Sequence, residues 1–86
     1  MGKVITQGDI HRKTGIPSEN ISLALAQVTP SYRASAYNYD FEKAKKALIQ
    51  FCTRRQQYYA SKVKIWTDRI EACEAMESDQ EAINHG

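Results

Sequence analysis

The chain has 86 residues, a formal net charge of +2 and 42% hydrophobic residues, which suits one domain with a modest core. The sequence contains no apolar run of the roughly 18 residues that a transmembrane helix needs. Its first residues also lack the apolar core of a signal peptide. We therefore expect a cytoplasmic protein without membrane association.

Charge is distributed unevenly along the chain. Residues 41–66 contain seven Lys or Arg residues and one Glu, whereas residues 67–86 contain six acidic residues and one Arg. A basic segment can contact phosphates, and an acidic segment would be repelled by them. The basic middle is equally compatible with a solvated helix face, or with the acidic end of a partner that runs antiparallel.

The sequence indicates neither a metal site nor a catalytic site. Cys52 and Cys73 are far apart in an apparently continuous helical pattern, so we expect both to be buried and reduced, with no disulfide. Together with His11 and His85 they lack the spacing of metal ligands, and no paired carboxylate or nucleophile accompanies His11. We expect a non-enzymatic protein with no metal and no cofactor.

Glycine and proline divide the first third of the chain into short elements. All four glycines and both prolines lie outside residues 31–85. The pattern predicts a strand at 4–6 and a helix at 7–14 with Ile10 facing inward. Gly15 then ends that helix, because helices commonly end on a residue with positive φ.

A second short helix is predicted to begin at Pro17 or Ser18 and to end at 29–30. Residues 31–39 then predict a small wing, in which the alternating tyrosines form one strand of a hairpin. Asp40 is a suitable N-cap for the helix that follows. The apolar face of the second helix consists of Ile21, Ala24 and Leu25.

Apolar residues at spacings of three and four predict one long helix over 41–76, followed by a frayed acidic tail over 77–86. The small head cannot cover this stripe, so we expect a dimeric coiled coil with a second copy. An alternative is a bend near Arg55 that folds the chain back as a helical hairpin, although no Gly or Pro is present to make the turn. The predicted dimer interface consists of Phe51, Tyr59, Val63, Trp66, Ile70 and Cys73.

The segment over residues 7–25 resembles a helix-turn-helix, with Gly15 in the turn and Ile10 and Ile21 as inward residues. The order of strand, helix-turn-helix, wing and long helix resembles the winged heads of the MerR and excisionase group. The small subunit of lambdoid phage terminases has a similar head. The residues that match the wing pattern are Arg33, Tyr37, Tyr39 and Asp40.

This resemblance implies a mainly α protein, with a winged helix-turn-helix head over residues 1–40 that binds double-stranded DNA. The second helix would enter the major groove. Bases would be contacted by Ser18, Glu19, Asn20 and Ser22, and phosphates by Arg12, Lys13, Arg33, Lys43 and Lys46. The chain departs from the family at His11, where Ala is usual, and in the absence of Lys and Arg from the second helix.

Three functions fit these features. The first is a sequence-specific transcriptional regulator of bacterial or phage origin that acts as a homodimer. The second is an excisionase-like architectural factor, or a terminase-type subunit that recognises DNA and recruits a larger protein. The third is a protein-binding adaptor that acts through the long helix, and the lack of cations on the second helix favours it.

Overall fold

The structure, a computed structural model, describes residues 3–30, 38–78 and 80–81. The described part of the chain is mainly helical, as the sequence predicts. Its elements in chain order are β1 (Lys3–Thr6), α1 (Gln7–Thr14), α2 (Ser18–Ala24), β2 (Asn38–Asp40), α3 (Phe41–Tyr58), a 3-10 turn (Ala60–Lys62), α4 (Val63–Ala75) and β3 (Gln80–Glu81).

The predicted strand and the first helix are confirmed. Thr6 caps α1, because its hydroxyl accepts a hydrogen bond of 3.1 Å from the backbone N–H of Asp9. Gly15 ends α1 in the left-handed region at φ 73°, where glycine avoids the strain that a side chain would incur. The second helix ends at Ala24, earlier than predicted, and residues 25–27 form a turn.

A small antiparallel sheet has β1 at its centre, between β2 and β3. Ile5 pairs with Tyr39 on one side, and Val4 pairs with Gln80 on the other. The second pairing corrects the prediction that all of 77–86 is frayed. Most of the predicted wing, including Arg33 and Tyr37, lies outside the described residues.

The prediction of one uninterrupted helix over 41–76 is wrong. The chain leaves α3 after Tyr58, passes through the 3-10 turn and returns as α4. The two helices form an antiparallel hairpin, which corresponds to the alternative considered above. Gln56 donates a hydrogen bond of 2.5 Å to Thr67, and the Lys45 ammonium donates one of 3.4 Å to the Met76 carbonyl, so the helices are tied near both ends.

Packing within the chain explains the break, since neither Gly nor Pro is present there. The return of α4 buries Trp66, Cys73 and Met76 against α3, and Trp66 retains 6% exposure. Each large apolar side chain that is buried contributes about 1.5–3 kcal/mol. The break costs a few helical hydrogen bonds, each worth about 1 kcal/mol. Burial therefore outweighs the loss of helix continuity.

The hairpin also alters the interpretation of the cysteines. Both thiols are free, buried and fully shielded from solvent, as expected. The expectation that the two cysteines lie far apart on one continuous helix is wrong, because Cys52 lies on α3 and Cys73 lies on the returning α4. Both side chains belong to the same buried core cluster, and each shifts the pKa of the other.

Candidate nucleic-acid interface

The turn between α1 and α2 is held by several hydrogen bonds. The Gly15 N–H donates to the His11 carbonyl at 2.8 Å, and the His11 Nδ1–H donates to the Ile16 carbonyl at 2.8 Å. The Thr14 hydroxyl donates to the Ile10 carbonyl at 2.7 Å and accepts from the Ile16 N–H at 3.2 Å. Together with the fully buried side chain of Ile16, these bonds fix the angle between the helices.

His11 has a structural role in this turn. A carbonyl oxygen can only accept a hydrogen bond, so the Nδ1 atom of His11 must carry a proton. An alanine at this position could not make the bond. His11 therefore ties α1 to the residue that follows the turn.

The outward face of α2 carries few strong recognition groups. Ser18, Glu19 and Ser22 are exposed, whereas Asn20 is half-buried. Leu23, which was not predicted as a site residue, is 59% exposed on the same helix. This face therefore combines one carboxylate, two hydroxyls and an exposed leucine.

Gln7 connects α2 to the sheet, a role that the sequence analysis missed. The Ser22 hydroxyl donates to the Gln7 side-chain oxygen at 3.3 Å, and the Gln7 amide donates to the Tyr39 hydroxyl at 3.1 Å. This chain of bonds joins α2, α1 and β2. Only the position of Gln7 at the start of α1 could have suggested it.

The predicted cations do not all lie on one surface. Lys43 and Lys46 are exposed on α3 and line a shallow depression with residues 27–29, which follow α2. Arg12 points outward and forms an ion pair with the largely buried Asp9. Lys13 lies beside Ala72, Ala75, Met76 and Glu77 at the end of α4.

The structure thus brings Lys43 and Lys46 together with the segment that follows α2, and places Lys13 beside the end of α4. The position of Lys13 could not be anticipated, because it depends on the return of α4. The backbone N–H of Lys43 donates to the Asp40 carboxylate at 3.0 Å, which caps α3 as predicted and fixes where the helix begins.

A second basic surface lies at the far end of the hairpin, in a molecule that measures 48 × 21 × 16 Å. Arg54, Lys62 and Lys64 are exposed there, and Tyr58 is 77% exposed. Arg55 stacks over the Phe51 ring at 4.9 Å from its centroid. The charge count over residues 41–66 is the sequence signal for this surface.

The predicted dimer seam is largely used within the chain. Phe51, Trp66 and Cys73 are buried, and Tyr59 and Ile70 pack partly against the same core. Val63 is 41% exposed. The premise that this stripe lacks an intrachain cover is therefore wrong.

Among the described residues, no group of three or more His, Cys, Asp or Glu side chains could hold a metal ion. In the same part of the chain, no helix is both long and apolar enough to cross a membrane. No protein-family model, curated protein or solved structure matches this chain.

Proposed function

We propose that this chain binds double-stranded DNA in a sequence-dependent manner, with α2 in the major groove. The observation that carries the proposal is the fixed α1–turn–α2 unit, which is followed by a segment over 27–29 that lies beside Lys43 and Lys46. A rigid turn between two helices is what presents one helix to a groove at a defined angle. The chain would act as a small transcriptional regulator of bacterial or phage origin.

Base contacts would come from the exposed face of α2. Glu19 can accept a hydrogen bond from the amino group of cytosine, and Ser18 and Ser22 can contact either kind of base. Leu23 can pack against the methyl group of thymine, which is an apolar contact that the major groove offers. This face favours contacts with pyrimidines over the bidentate reading of guanine, which requires Arg or Lys.

Phosphate contacts would come from Lys43 and Lys46, with Arg12 as a further candidate. The lysines extend from α3 beside the segment that follows α2, so they can reach a strand that borders the groove. Arg12 would have to share its guanidinium between a phosphate and Asp9. Lys13 contributes less in this arrangement, because it lies beside the acidic end of α4.

Fluorescence anisotropy with a labelled duplex, selected from a random pool, tests the proposal. The double variant K43A/K46A should bind more weakly and reduce the slope of log affinity against log salt by about two units, roughly one for each lost contact. The matched control is K62A/K64A, which removes two lysines at the far end of the hairpin. Equal losses would indicate unspecific charge attraction, and no binding by the parent chain at low salt would refute the proposal.

The same head would serve an excisionase-like architectural factor or a terminase-type recognition subunit. DNA bending, measured by circular permutation of the site in a gel, would favour the architectural role. A DNA-dependent complex with a larger protein would favour the recruiting role.

A protein-binding adaptor is the second candidate, and the exposed apolar residues favour it. Leu23 is 59% exposed, Ile65 is 46% exposed and Val63 is 41% exposed. Self-association through such residues is one form of this function, and it stays a prediction. Sedimentation equilibrium at micromolar concentration tests it, and a monomer mass would exclude a homodimer under those conditions.

A further inference from the structure

Two cysteines meet across the hairpin in a position that the proposed function does not use. Cys52 lies on α3 and Cys73 lies on α4, and neither side chain is exposed to solvent. Both belong to the same buried core cluster, and each thiol is close enough to shift the pKa of the other. Two buried cysteines on neighbouring helices of one packed hairpin need only a limited side-chain movement to reach the S–S bond length of about 2.05 Å.

Contacts on both sides of the pair fix this alignment of the helices. Gln56 and Thr67 are hydrogen-bonded toward the far end of the hairpin, and Lys45 is bonded to the Met76 carbonyl toward the head. Cys52 and Cys73 lie between these two ties. A shift of one helix along the other would break both ties, so the ties fix where the two thiols lie along the hairpin.

We propose that Cys52 and Cys73 form a reversible disulfide, which makes the hairpin a site of oxidative modification by peroxides. Hydrogen peroxide is the oxidant that suits a shielded site, because its size is close to that of water, and the proposal requires a local opening of the hairpin that admits it. The proposal is independent of DNA binding.

The two thiols have different roles in this reaction. The hydrogen bond from Cys73 lowers the pKa of the Cys52 thiol, and the nearby Arg69 guanidinium lowers it further against the opposing effect of burial. The same hydrogen bond and burial raise the pKa of the Cys73 thiol. The Arg69 charge favours a thiolate at Cys52 and the Glu74 charge disfavours one at Cys73, so we assign Cys52 as the thiol that ionises and Cys73 as the resolving thiol.

The reaction balances in two steps. The Cys52 thiolate attacks one peroxide oxygen, the O–O bond breaks, and the departing hydroxide takes up a proton, leaving a sulfenic acid. The sulfur of Cys73 then attacks the Cys52 sulfur, the S–OH bond breaks, and water leaves with the Cys73 proton. The two thiols lose two electrons in total, and one peroxide is reduced to two molecules of water.

The full chain, first reduced and then freed of reductant, is treated with hydrogen peroxide, unfolded and labelled with a maleimide. We expect the intact mass to show no maleimide adduct and the loss of two hydrogen atoms, and a non-reducing gel to show a monomer. The disulfide should raise the melting temperature by on the order of 10 °C, and dithiothreitol should reverse the change.

Matched variants separate the two thiols. C73S should retain a sulfenic acid at Cys52 that dimedone traps, whereas C52S should leave Cys73 reduced, and neither should gain stability on oxidation. If a variant fails to fold, the comparison of the oxidised and reduced wild-type chain still tests whether the disulfide forms. Two free thiols after peroxide treatment, disulfide-linked dimers, or a lower melting temperature on oxidation would each overturn the proposal.

Discussion

Replacing Trp66 with alanine tests whether the hairpin is the stable form of this chain. Trp66 retains 6% exposure and packs against Phe51 with an edge-to-face geometry and a centroid distance of 6.2 Å. Arg69 covers its ring at 4.6 Å from the centroid. Truncation of a buried Trp to Ala costs about 3–5 kcal/mol, which is a large part of the stability of a domain of this size.

We expect W66A to lower the melting temperature by roughly 12–40 °C, at about 4–8 °C for each kcal/mol. Circular dichroism is the appropriate assay, because Trp66 is the only tryptophan and its fluorescence is lost with the substitution. I65A is the matched control, since Ile65 is 46% exposed on the same helix and should change stability by less than about 1 kcal/mol. Equal effects of the two variants in a monomeric sample would refute the hairpin.

Four further substitutions test local features of the head by urea unfolding. G15A should lower the free energy of unfolding by about 1 kcal/mol, because a Cβ there meets no atom within 4 Å and the cost is backbone strain alone at φ 73°. G8A should raise the free energy of unfolding by about 0.5–1 kcal/mol, because alanine favours the helix more than glycine does. The added Cβ would lie at an ordinary contact distance of 3.9 Å from Thr6 Oγ1. D40A should cost about 1 kcal/mol through the lost cap of α3. H11A should cost about 1 kcal/mol through the lost bond to the Ile16 carbonyl; an unchanged value would exclude the structural role of His11.

Local chemistry made part of the fold predictable. Gly15 and Asp40 act through their own backbone geometry, so the end of α1 and the start of α3 follow from the sequence alone. The inward residues Ile10 and Ile21 follow from helical spacing. The position of α2, the helix proposed to enter the major groove, could therefore be predicted without knowledge of the residues that pack around it.

The hairpin could not be predicted with the same certainty, because it depends on competition between distant segments. Arg55 interrupts the apolar stripe, but its stacking on Phe51 and Tyr59 also lets it remain within a helix. Whether the chain continues as one helix or turns back as a hairpin depends on the side chains that α4 buries against α3. The positions of Lys13 and the meeting of the two cysteines depend on that return, so sequence reasoning missed both.

The central place of β1 in the sheet affects how the chain folds. Val4 pairs with Gln80, and the Ser78 hydroxyl donates to the Val4 carbonyl, so residues near the two ends of the chain complete one sheet. Contacts between such distant residues raise the contact order and slow folding, since the entropy of closing a long loop is lost before the contacts form. During synthesis, the head would acquire its third strand only after α4 has left the ribosome.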